Sequence, residues 1–181
     1  MHAVGLVEMS SIARGFFVAD TMLKKAQVKL LMNRSICPGK YMALIGGDVA
    51  EVEAAIAAGE KAADEYTIDT MIIRNLHSEI LPALSGTNEF HKVDALGIVE
   101  TFSVATTIEA ADASLKAANV KIIQIHLAMA IGGKAYYSIA GDVAAVEAAV
   151  DAGVHYIKNK GLLVEKVVIP HPRQEIILDK I

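Results

Sequence analysis

Short β-prone runs and longer stretches suited to amphipathic helices alternate along the chain in one order, and that order occurs twice. In the first half, residues 4–8 form an aliphatic run of strand character. Ser11 stands where it can cap a helix running to about Lys25. Residues 28–33 and 41–45 are two further strand-forming runs, and between them lies a loop holding Cys37-Pro38-Gly39. Asp48 and Glu51 have the spacing of a capping box at the head of an alanine-rich helix that ends near Glu65. Residues 67–74 supply the last strand. The order β-α-β-β-α-β predicts an antiparallel sheet with helices on one face, the ferredoxin-like arrangement of the α+β class.

The second half repeats the first. Ala3-Val-Gly-Leu-Val-Glu8 returns as Ala95-Leu-Gly-Ile-Val-Glu100, and Ala19-Asp-Thr-Met-Leu-Lys24 returns as Ala111-Asp-Ala-Ser-Leu-Lys116. Gly47-Asp-Val-Ala-Glu-Val-Glu-Ala-Ala55 returns as Gly141-Asp-Val-Ala-Ala-Val-Glu-Ala-Ala149. At an offset of 92, residues 3–37 give 13 identities; at an offset of 94, residues 40–77 give 13 more. The second copy therefore carries two extra residues in the loop between Arg34 and Lys40, where the copies differ in length and character. At the later offset His77 falls opposite His171. The expected organisation is one domain over residues 1–80, a linker over 81–94 that contains Pro82 and Ser85-Gly-Thr-Asn88, and a second domain over 95–181.

Composition adds a demand for partners. The chain is 54% hydrophobic but only 5% aromatic, with a mean hydropathy of +0.41, so it carries more aliphatic surface than a soluble monomer hides easily. A membrane is a poor host, because a spanning helix needs roughly 20 mostly apolar residues. The apolar stretches here are broken by Lys29, Arg34, Lys40, His126, Lys134 and Asp142, and no signal-peptide pattern opens the chain. Contact between subunits is the expectation. A net charge of −4 without runs of Lys or Arg argues against nucleic acid. Cys37 is the only cysteine, which excludes an intrachain disulfide and fits a reducing compartment.

The motifs Gly97-Ile-Val-Glu100, Ala110-Ala-Asp-Ala-Ser-Leu-Lys-Ala-Ala-Asn-Val120, the Gly141 to Ala149 run and Ile169-Pro-His-Pro172 resemble the bacterial microcompartment (BMC) shell domain. That domain's signatures are G-x-V-E, A-A-D-x-x-x-K-A-A-N-V, G-D-V-x-x-V-x-A-A and I-P-R-P; His171 departs from the last. The resemblance spans essentially the whole chain, once per copy. It implies a structural, non-enzymatic subunit of the shell of a cytoplasmic organelle, with tandem ferredoxin-like BMC domains. Tandem members form a homotrimer, a pseudohexameric ring around a central pore, and associate with other shell proteins. Within that class, Ser35-Ile-Cys-Pro-Gly-Lys40 resembles the T-type shell proteins of propanediol-utilisation compartments, known for an iron–sulfur cluster at the pore. The resemblance implies one [4Fe–4S] cluster per trimer, ligated by Cys37 from three chains, serving electron transfer or cluster passage across the shell and reaching an encapsulated redox enzyme. Ser35, Ile36, Cys37, Pro38 and Gly39 would line the pore in alternation with Ala130, Ile131, Gly132 and Gly133. Lys24, Lys116, His77, His171 and Arg173 would lie at the edge where rings meet.

Two other readings stand beside this one. A lone cysteine is often a small buried hydrophobe, and Cys37 as a passive lining residue would leave a plain metabolite-selective pore. A ligand-binding or catalytic ferredoxin-like domain is weaker. Its candidate acid–base residues, Glu8 and Glu100, Asp20 and Asp112, Lys24 and Lys116, are duplicated at matching positions and so serve the domain itself. The turns at Gly46-Gly47-Asp48 and Gly141-Asp142 read as structural, because an Asp at the cap repels phosphate. His2, His91, His126 and His155 have no metal-ligand spacing and read as surface or loop residues.

Overall fold

A computed structural model describes residues 3–87 and 93–178. The first repeat comprises β1 (Ala3–Met9), α1 (Ile12–Lys25), β2 (Lys29–Ile36), β3 (Lys40–Gly47), α2 (Val49–Ala63) and β4 (Thr67–Ile73). A short helix, α3 (Ile80–Leu84), lies in the segment read as linker. The second repeat comprises β5 (Ala95–Thr101), α4 (Val104–Ala117), β6 (Lys121–Leu127), β7 (Ala135–Gly141), α5 (Val143–Ile157) and β8 (Leu163–Pro170), and α6 (Gln174–Leu178) follows. The sheets have the orders β2-β3-β1-β4 and β6-β7-β5-β8. The expected order of elements therefore holds in both repeats.

Burial explains the strand composition. Every residue of β1 is buried, and a central strand covered along its length reads as a nearly unbroken aliphatic run. Val7, Met9, Val18, Met22, Tyr41, Ile45, Val52 and Ile56 form one core in which α1 and α2 lie against the sheet. In the second repeat Ser114 Oγ is 2.7 Å from the Tyr137 hydroxyl and donates to the Ala149 carbonyl at 2.7 Å, joining α4 to α5. Burial pushes the Tyr137 hydroxyl pKa up, and its hydrogen bond to Ser114 opposes this only in part.

The compact units do not follow the repeat boundary. One unit comprises Met1–Leu76 with Ser103–Thr106 and Leu127–Ala135; the other comprises His77–Phe102, Thr107–His126 and Tyr136–Ile181. The first turn of α4 and the β6–β7 loop thus belong to the first unit.

Local expectations are corrected in several places. Ser11 caps α1 as expected, its Oγ accepting the Arg14 N–H at 3.3 Å. The Asp48–Glu51 capping box does not form. Asp48 makes no side-chain cap bond, and Glu51 Oε2 accepts the Gln27 N–H at 2.6 Å instead. Strand β2 continues to Ile36, because pairing of Ser35 with Tyr41 and Ile36 with Lys40 carries the ladder to the edge of the cysteine turn.

The repeat offset also changes a second time. Glu8 faces Asp69 across β1 and β4, whereas Glu100 faces Glu165 across β5 and β8, so these strands correspond at an offset of 96. The two additional residues are Gly161 and Leu162, ahead of β8. His77 therefore corresponds to Arg173, and His171 to Asn75. The equivalence of His77 and His171 rested on a single coincident identity. His126 is not a loop residue: it sits half-buried in β6, stacked on Tyr136 at 5.3 Å between ring centroids. His155 is exposed on α5, and His2 and His91 lie outside the described residues.

Candidate functional site: the cysteine turn and a buried carboxylate network

The turn carrying Cys37 is the tip of the β2–β3 hairpin. Ile36 is buried at the end of β2, and Lys40 opens β3, which leaves Cys37, Pro38 and Gly39 as the turn. The Cys37–Pro38 peptide is cis, and Gly39 has φ +77°, a conformation that suits glycine. Cys37 is a half-buried free thiol, while Ser35, Pro38 and Gly39 are exposed. A Cβ added at Gly39 would meet nothing within 4 Å, so this side of the turn is open.

The loop between β6 and β7 lies against this turn, within the same unit. The Cys37 N–H donates to the Ala128 carbonyl at 2.8 Å. A Cβ on Gly133 would lie 2.5 Å from Pro38 Cδ and 3.0 Å from the Cys37 carbonyl oxygen, so only glycine allows the approach. Ala128, Ala130, Gly132 and Gly133 all have positive φ. Ala130 and Gly132 are exposed, and Ile131 is half-buried with its carbonyl accepting the Lys134 N–H at 3.4 Å. Among the described residues no group of three or more His, Cys, Asp or Glu side chains could hold a metal ion. One chain therefore brings a single thiolate, and a thiolate-ligated cluster at Cys37 must be shared between copies.

A second constellation lies in the first unit. The Glu8 carboxylate is fully buried. Its Oε1 pairs with Lys40 Nζ at 3.0 Å, and its Oε2 accepts the Val104 N–H at 2.8 Å and faces Ser103 Oγ at 3.0 Å. Asp69 Oδ2 lies 2.5 Å from the same hydroxyl and accepts from Thr106 Oγ1 at 2.6 Å. One hydroxyl hydrogen cannot serve both carboxylates at once, so Ser103 shares it between them. Ser103 Oγ also accepts the Thr106 N–H at 3.1 Å, capping α4 as Ser11 caps α1. Two carboxylates thus sit at the positive end of α4, where the helix dipole favours them. Reading the duplicated Glu8 as structural is consistent with this. Asp69, Ser103 and Thr106 were missed, because the carboxylates and hydroxyls that meet here lie 34 to 95 residues apart.

The remaining candidates fall in separate places. Lys24 pairs with Asp20 at 2.6 Å on the exposed face of α1. Its repeat counterpart Lys116 pairs with Asp112 at 2.5 Å, but Asp112 is buried and also accepts the His77 N–H at 2.8 Å. The structure therefore groups His77 with Asp112 and Lys116. His171, with φ +49°, donates its N–H to the Asp94 carbonyl at 2.8 Å, and Arg173 is largely exposed beside Glu175.

With this geometry in place, comparison with known proteins gives a consistent result. The family model described as the BMC domain matches residues 3–76 and again residues 95–172. The chain is 46% identical over 175 residues to the bacterial microcompartment shell protein PduT of Citrobacter freundii, covering 97% of this chain and 95% of that protein. A single-repeat relative, the bacterial microcompartment shell protein EutM of Salmonella typhimurium, is 40% identical over 84 residues, covering 46% of this chain and 85% of that protein. Among solved structures, a microcompartments protein from Desulfitobacterium hafniense superposes with a TM-score of 0.86 at 46% identity, covering 97% of each chain. Among the described residues no helix is long and apolar enough to cross a membrane.

Proposed function

Because the chain belongs to the BMC-domain family, once per repeat, we propose that it works as a tile of a bacterial microcompartment shell whose ring centre carries an iron–sulfur cluster. The coarser part needs no more than the family: the protein is a shell subunit, of the PduT type, and resides in the microcompartment shell. The finer part is our reading. Three copies form a ring, other shell proteins surround it, and the cysteine turns meet at its axis. The protein is a structural and conducting element rather than an enzyme.

The observation that carries the cluster reading is the setting of Cys37. It is half-exposed at a hairpin tip, on a turn with an open glycine at one side, and the chain has no other cysteine. A buried packing thiol would sit on a strand face instead. Closed heterologous rings bring identical turns to one axis, and three thiolates can hold three irons of a [4Fe–4S] cube, leaving one iron for another donor. When bound, the cluster would supply one-electron chemistry across the shell. The residues of the chain hold the turn: the Ala128 carbonyl fixes the Cys37 N–H, and Gly133 admits the neighbouring loop.

The test is iron and acid-labile sulfide per trimer after anaerobic purification. Four of each per trimer is expected, with loss of both in Cys37→Ser and no change in assembled mass. Retention should weaken as pH falls, since protons compete with iron for thiolate. Wild-type protein without iron under strict anaerobiosis would establish the plain metabolite pore. Iron retained by Cys37→Ser would place the cluster elsewhere.

A further inference from the structure

The two repeats differ most in what covers the start of their first helices. In α4, Val104, Ala105 and Ile108 are fully buried, and Glu8 and Asp69 engage Ser103, the Val104 N–H and Thr106. The residues of α1 that lie 92 positions earlier, Ile12, Ala13 and Phe16, are all exposed, Ile12 at 42% and Phe16 at 60%, and Phe17 beside them is 54% exposed. The strands that supply the acceptors show the opposite asymmetry. Met71 on β4 is 2% exposed, but its counterpart on β8, Val167, is 41% exposed. Glu165, the counterpart of Asp69, is exposed, and Glu100, the counterpart of Glu8, is only half-buried. The chain thus presents one uncovered helix start and one uncovered acceptor edge.

We infer that a second copy of this chain seats its α1 start on the Glu100–Glu165 edge, repeating between chains the contact that Glu8 and Asp69 make with α4. The inference rests on the ring reading above and names the residues that would close the ring. Its strongest support is a paired substitution. Thr106, whose hydroxyl meets Asp69, corresponds to Arg14, and Asp69 corresponds to the longer carboxylate Glu165. A hydroxyl on a short acid is replaced by a guanidinium on a longer one, which conserves complementarity while adding charge.

Arg14 is prepared for such a partner. Among the described residues it reaches the Ala62 carbonyl at 3.4 Å and lies over the Phe17 and Tyr66 rings, at 5.8 and 5.2 Å from their centroids, and none of these contacts is a carboxylate. Ser11 holds the cap geometry of Ser103, its oxygen accepting the Arg14 N–H, so its hydroxyl hydrogen remains to donate to Glu100. Phe17 and Tyr66 correspond to Glu109 and Lys160, which form an ion pair in the second repeat. Aromatic surface therefore stands at the uncovered helix and charge at the covered one, as an intersubunit contact with an apolar centre requires. Helix start and acceptor edge are different surfaces, so the contact is head-to-tail and either closes into a ring or propagates.

The experiment is a charge swap read by light scattering during gel filtration at micromolar concentration. Arg14→Glu and Glu165→Arg should each raise the concentration needed for half-assembly by about a hundredfold, and the double variant should return to within about tenfold of wild type. Phe16→Ser should weaken assembly without altering charge, and circular dichroism confirms that each variant folds. A wild-type monomer would overturn the ring reading together with this contact. A wild-type trimer untouched by Glu165→Arg and Phe16→Ser would leave the ring standing and overturn the contact. A swap no better than its single variants would overturn the Arg14–Glu165 pairing.

Discussion

Replacing Glu8 with alanine withdraws one carboxylate from three neighbours at once. Val104 loses the acceptor of a buried N–H at 2.8 Å, Lys40 loses a partner at 3.0 Å with only 18% of its side chain exposed, and Ser103 loses one of the two carboxylates its hydroxyl reaches. An unsatisfied buried donor costs about 1–3 kcal/mol, and breaking a buried ion pair from one side about 3–5 kcal/mol. These costs overlap, so the expected loss is about 3–5 kcal/mol, or a fall in Tm of roughly 6–20 °C for a chain of this size. Lys40→Met in the same background should recover part of the loss, because a partly buried ammonium then no longer faces the place that the Glu8 carboxylate has left. Urea unfolding gives both values, at one fixed protein concentration because assembly itself adds stability. The reasoning fails if Glu8→Ala stays within about 1 kcal/mol of wild type, or if the double variant is no more stable than the single.

Two further outcomes follow from local geometry. Gly133→Ala places a methyl 2.5 Å from Pro38 Cδ at φ +83°, whereas Gly132→Ala has open space at φ +66°. The second should cost about 1–2 kcal/mol of backbone strain and the first clearly more, and equal thermal melts would refute the close approach. Tyr137 keeps its proton in the folded state above the pH at which an unfolded tyrosine, with pKa near 10, loses it. The contribution of Tyr137 to stability should therefore be level below about pH 10 and fall by about 1.4 kcal/mol per pH unit above it. Tyr137→Phe should lower stability at pH 8 but flatten that alkaline slope, and parallel slopes would show that Tyr137 is not the group responsible.

Strand and helix positions were readable because burial and period write them locally. The fully buried β1 shows as an unbroken aliphatic run, and the Ser11 cap shows as a hydroxyl before a helix. What escaped was set by pairing across the chain. The capping box failed because a distant N–H, that of Gln27, offered Glu51 a better bond than its own helix. The second change of offset was hidden because β4 and β8 share almost no identities, and only their registers against Glu8 and Glu100 reveal it. At the cysteine turn, residue type and spacing pointed to Cys37. The carbonyl of Ala128 and the close seat of Gly133 became visible only once the two hairpins were folded.

A cysteine turn in one repeat and a glycine-rich loop in the other has a consequence for symmetry. Six identical single-repeat chains around an axis must present every side chain six times, and no change in one copy can be withheld from the rest. Joining the repeats in one gene releases that constraint: residue 37 can become a soft ligand while the loop of the other repeat carries no cysteine and keeps Gly132 and Gly133. In the proposed ring the thiols then number three. A cubane has a threefold axis through one iron and the opposite sulfide but no sixfold one, so in that proposal duplication followed by divergence would match the count of ligands to the symmetry of the cluster.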